Sequence, residues 1–137
     1  MQLMPSKMKI QRILFFFLTL GLFTGCEDQS PLEVNNFDIK IWQSDRNGCE
    51  SQREAFISSL MGQTEVFIGV KQKRVMATLG RPDRVELDPR MKRTHYYFVE
   101  PGIACEDKEE GKRFKAFAVE YEPIHRRVKS IAISRLK

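Results

Sequence analysis

The chain has 137 residues, 42% of them hydrophobic and 30% charged, which suits one domain with a modest core. Its formal net charge of +5 is largely owed to Lys7, Lys9 and Arg12. No acid precedes Glu27, so the chain after residue 25 carries only about +2, with both signs interspersed, a pattern that argues against a nucleic-acid partner.

Taken in chain order, the basic N-terminus leads into an apolar run from Ile13 to Phe23, the arrangement of an export signal. Eleven residues make roughly 17 Å of helix against a hydrocarbon core of about 30 Å, so a membrane span is excluded. The small residues Thr24 and Gly25 stand directly against Cys26. Leu22-Phe23-Thr24-Gly25-Cys26 resembles the lipobox of bacterial lipoproteins, where an aliphatic residue, two small residues and a cysteine are read by a dedicated signal peptidase; the alternative is an ordinary cleaved signal. The resemblance implies that residues 1–25 are removed and that Cys26 carries a thioether diacylglycerol and an amide-linked acyl chain. Two or more chains hold a protein at a bilayer without a spanning helix. No other cofactor is expected. Glu27 is not the Asp that marks inner-membrane retention in that family, so the resemblance implies the outer membrane, its periplasmic face favoured over the cell surface.

Residues 26–36, with the polar, proline-containing stretch EDQSPLEVNN after the cysteine, read as a lipidated tether. The domain is expected over residues 37–137. Alternation of Phe37, Ile39 and Ile41 suits a short strand or extended arm. Asn47 followed by Glu50 reads as a capping-box helix start, with Phe56, Ile57 and Leu60 as the apolar face and an end near Gly62. A cleaner helix runs from Lys71 to Leu79 with Val75, Met76 and Leu79 inward; Gly80 and Pro82 end it. Strands are expected over Arg84 to Leu87 and Arg93 to Val99, joined at Asp88-Pro89. Further strands run over Phe114 to Tyr121, with Phe117, Val119 and Tyr121 facing one way, and Val128 to Ser134, with Ile131 and Ile133 inward. The fold class is therefore α+β, two short helices packed on a three- to four-stranded antiparallel sheet.

With Cys26 assigned to lipid, Cys49 and Cys105 remain, an even pair suited to an oxidising compartment. A bridge would close a loop of roughly 57 residues, worth about 4 kcal/mol in the chain-entropy model; two free thiols are the alternative. No second cysteine or histidine stands at metal-ligand spacing from either. Neither His95 nor His125 has a partner at recognisable catalytic spacing, and no GxSxG, HExxH, phosphate loop or CxxC is present. The chain is read as no enzyme.

FIGVKQKRVMATLGRPDRV followed by THYYFV resembles the small outer-membrane lipoprotein family SmpA/OmlA, also called BamE-like, through Gly69, Val75, Leu79, Gly80 and Pro82, with Tyr96 and Tyr97 in the aromatic strand. The resemblance implies two helices on a three-stranded antiparallel sheet and a role in outer-membrane protein assembly or envelope integrity. The expected partners are the bilayer, through the acyl chains, and another envelope protein or complex. The candidate interaction patch is Lys92, Arg93, Tyr96 and Tyr97. The rival expectation is an inhibitor-like or small-ligand-binding lipoprotein on the same scaffold.

Overall fold

Asp38 sets the first element. Its carboxylate accepts from the Lys40 and Ile41 amides at 2.9 and 3.0 Å, capping a helix α1 over Ile39–Ser44. The computed structural model describes residues 29–106 and 111–137, and the lipobox and Cys26 lie outside them. The strand expected at Phe37 to Trp42 is thus a helix: the alternating isoleucines do not decide the segment, because Trp42 is its one fully buried side chain while Ile41 stays 42% exposed. Six residues are too few for periodicity to arbitrate, and the cap does so instead.

The capping box expected at Asn47 is not formed. Asn47 is left-handed, φ 60°, a conformation asparagine tolerates. The loop's amides turn to Asp45, whose buried carboxylate accepts from Glu50, Gln52 and Arg53 at 2.9, 2.8 and 3.2 Å. A 3-10 turn over Gln52–Phe56 then feeds helix α2, Ile57–Gly62. Leu60 is fully buried, with Phe56 and Ile57 packed against the core.

Helix α3 spans Gln72–Leu79 with Val75 and Leu79 fully buried, and ends at Gly80, φ 76°. Its last carbonyls are met from α1 and the sheet. The Trp42 indole donates to Leu79 O at 3.1 Å, Gln43 Nε2 to Thr78 O at 3.1 Å, and the Tyr97 hydroxyl to Gly80 O at 3.1 Å. One helix end is satisfied by side chains that also build the core.

Four strands follow in a meander, β1 Arg84–Leu87, β2 Arg93–Phe98, β3 Phe114–Tyr121 and β4 Val128–Leu136, antiparallel throughout and in the order β1-β2-β3-β4. This is the α+β architecture read from the pattern, with three α-helices among the described residues where two were expected. The helices cover one face, where Trp42, Leu60, Phe67, Val75 and Leu79 meet Tyr97, Val99, Phe117, Val119 and Tyr121. Ile131 joins that core at β4, whereas Ile133, expected beside it, remains 37% exposed at the rim.

The stretch expected to be tether is seated on the domain from Ser30 onward. Leu32 is only 5% exposed, its amide donates to Thr78 Oγ1 at 2.7 Å, and Arg74 Nε donates to Ser30 O at 3.1 Å. Asn35 and Gln63 exchange two bonds at 2.9 and 3.1 Å. The apolar letters Leu32 and Val34 carry the correction: Leu32 lies in the core, with Val34 packed against it.

Candidate interaction surface

The four residues of the expected patch are not one surface. Successive side chains of a strand point to opposite faces, and β2 distributes them accordingly. Tyr97 is fully buried against the Trp42 ring, 6.2 Å between centroids, and burial raises its hydroxyl well above the ordinary range. It is a core residue, and its place in the patch is withdrawn. Arg93 lies in register with Tyr121 on the helix side. Tyr96 points to the other face, in register with Ala118 and Arg84. Lys92 reaches Glu120 at 2.9 Å and Asp88 at 3.8 Å, and the Glu120 carboxylate raises its ammonium above the usual lysine value.

What the structure does bring together on the helix-free face is Lys92, Tyr96, Thr94, Glu86, Arg84 and Glu120. Arg84 and Glu86 pair at 2.6 Å. Partial burial, followed by the nearby Glu86 carboxylate, raises the Tyr96 hydroxyl. Toward β4 the face becomes small-sided, with Ala118 beside Ala132, Glu120 beside Ser130 and Ala116 beside Ser134. At one end Phe98, Phe114 and Ala116 form a second apolar cluster with Tyr96 and Leu136 packed on it. Gly102 lies over the Phe98 ring, so closely that a methyl there would stand 2.9 Å from a ring carbon.

A buried polar anchor holds the other face in place. Arg53 is 1% exposed and Asp83 fully buried in their side chains, and Arg53 Nη1 donates to Asp83 Oδ2. Arg53 also donates to Trp42 O at 2.9 Å and Phe98 O at 3.0 Å, with its guanidinium carbon 5.0 Å from the Trp42 ring centre. The Asp83 carboxylate accepts further from the Asn47 and Phe98 amides at 2.9 and 2.8 Å. Charges without water need this many partners. Gly48 allows the loop to approach: a Cβ there would meet Phe98 O at 2.6 Å. Beside it Cys49 and Cys105 are bridged, Cα atoms 5.5 Å apart.

Both histidines have structural surroundings. His125 is exposed beside Glu122 at 3.9 Å. His95 is buried edge-on to Tyr121, 4.8 Å between ring centres; burial first, then the Arg93 charge, lowers its pKa to about 4. No group of residues able to hold a metal occurs among the described residues, and none of their helices is long and apolar enough to cross a membrane. No family model matches the chain, and neither any curated protein nor any solved structure does.

Sequence reasoning did not find Arg53, Asp83 or Asp45. They are ordinary polar letters in a charged chain, and only the fold brings residues 30 positions apart into one buried pair. The position of Asp83 directly after the helix-ending Gly80 and Pro82 is the one signal it carried.

Proposed function

We propose that this protein is a noncatalytic interaction module of the bacterial envelope, anchored by acyl chains on Cys26 at the outer membrane and presenting the helix-free sheet face to another envelope protein. The observation that carries this reading is the juxtaposition of a lipobox-like segment ending at Cys26 with a disulfide-bridged domain whose first buried residue, among those described, is Leu32. Leu32 follows Cys26 by only six positions, fewer than the ten of the expected tether, so an anchor at Cys26 would hold the domain close to the bilayer surface. The resemblance to SmpA/OmlA lipoproteins points the same way, toward barrel-protein assembly or envelope integrity. The bridge fits an oxidising compartment.

A small-ligand or inhibitor-like role is the second reading. In its favour, His95 Nδ1, the Tyr121 hydroxyl and Gln72 Oε1 are buried without a hydrogen-bond partner among the described residues.

Intact mass of the native protein tests the anchor: a mature chain starting at an acylated Cys26 supports it, and a start elsewhere or an unmodified cysteine overturns it. Photo-crosslinking from position 96 in intact cells tests the surface. Recovery of an envelope assembly component supports the module; a soluble enzyme recovered instead supports the rival.

A further inference from the structure

The nine-residue strand β4 ends the sheet, and the hydrogen-bond pattern shows which of its peptide groups are left over. The Val99 and Glu100 amides both donate to Lys115 O, at 2.9 and 3.3 Å, so Lys115, and by the two-residue repeat Phe117 and Val119, turn their peptide groups toward β2. Phe114, Ala116, Ala118 and Glu120 therefore bond across to their register partners Leu136, Ser134, Ala132 and Ser130. The remaining groups on β4, those of Ile131, Ile133 and Arg135, point away from the sheet. Among the described residues nothing pairs with them. At the strand's start the edge is closed, because the Val128 amide donates to Val70 O and Gly69 N donates to Val128 O, at 2.9 and 2.8 Å.

An open edge is a template for another strand. A second copy of this chain is a poor occupant. Two-fold registers centred on Ala132, Ile133 or Arg135 set like charges opposite each other, Lys129 against Arg135, Lys129 against Lys137, or Arg135 against its own copy, and the one centred on Ser134 sets Ile131 and Ile133 against Lys137 and Arg135. Directly opposed like charges destabilise a strand pair. The two cations flanking the isoleucines are largely in solvent, Lys129 at 64% and Arg135 at 57% side-chain exposure, and each lies only loosely near an acid, Glu120 at 3.9 Å and Glu100 at 3.7 Å.

We infer that β4 is a docking edge for an extended segment of a partner protein, about seven residues long so that its two end acids stand opposite Lys129 and Arg135, with small β-branched residues opposite Ile131 and Ile133. Main-chain bonds to Ile131, Ile133 and Arg135 supply the register, and Lys129 and Arg135 select the charge. On the free protein the same two cations bar edge-to-edge self-association. The inference deepens the interaction-module reading and rests on it only for biological use, because strand addition is measurable without any anchor.

The probe is a fluorescein-labelled peptide of pattern Glu-Ser-Val-Ser-Val-Ser-Glu, titrated into the full chain in detergent. Anisotropy should show saturable binding, and amide exchange at Ile131, Ile133 and Arg135 should slow at least tenfold. A peptide with Lys in place of Glu should bind at least tenfold more weakly, and a Lys129→Glu/Arg135→Glu variant should reverse that preference. Ile133→Pro removes an amide outside the β3–β4 ladder and should abolish binding; if that variant fails to fold, the charge reversal carries the test. No binding, binding without protection of those three amides, indifference to the charge swap, or dimerisation through β4 in sedimentation equilibrium would each overturn the inference. An inert edge with crosslinks from position 96 intact would sink the edge alone, whereas an unacylated Cys26 would sink the anchor alone.

Discussion

The two faces of one sheet follow opposite rules. On the helix side, Tyr97 of β2 and Phe117, Val119 and Tyr121 of β3 are fully buried, and the ion pair Arg53–Asp83 is held there by a network of further hydrogen bonds. On the other side the same strands contribute Thr94, Tyr96, Ala118 and Glu120, with ion pairs left in reach of water. Strand alternation makes this division automatic, so a functional patch on this fold must be sought among residues two apart, not among neighbours. One face stores most of the stability, and the other is buried only around its Phe98–Phe114 cluster.

The contrast is testable by how unequally the faces respond. The largest effect is expected for Asp83→Ala, which strands the Arg53 guanidinium and two amides: about 3–5 kcal/mol of destabilisation, read by urea unfolding through the fluorescence of Trp42. A cost no greater than that of a surface change would remove the anchor from the account. Next comes the bridge, where Cys49→Ser/Cys105→Ser should cost about 2–5 kcal/mol in the same measurement.

Acid gives the third. The pKa of His95 is lowered from the ordinary 6.5 to about 4, so the unfolded chain takes up the proton first. Its contribution is complete above pH 6.5, falls as pH drops toward 4 and flattens below, a loss on the order of 3 kcal/mol. Urea midpoints taken across that window should show the slope, and His95→Gln should flatten it; an unchanged slope would acquit His95. The smallest effect belongs to the open face, where Ala132→Lys should shift stability by no more than about 0.5 kcal/mol. A larger loss would mean that this face is covered.

Much of this was readable in advance. Helix α3, its Gly80 stop, all four strands and the inward residues of β3 follow from periodicity and turn chemistry, because each of those segments is governed by its own letters. The region from Phe37 to Arg53 was not, since its structure depends on distant partners: Trp42 is held by Leu79 O and Asn47 by Asp83. The patch failed at Tyr97 for a related reason. A Tyr-Tyr pair looks like one aromatic site in a string, yet only one of its members can face solvent from a strand covered on one side.

The shared acceptor at Asp83 has a kinetic corollary. The Asn47 and Phe98 amides donate to the same carboxylate, so neither proton is released to solvent by an opening that leaves Asp83 in place. The loop around Cys49 thereby inherits the slow breathing of the sheet's centre, and the two amides should exchange as one cooperative unit, 51 positions apart in the chain. The clock of a loop is set by a strand.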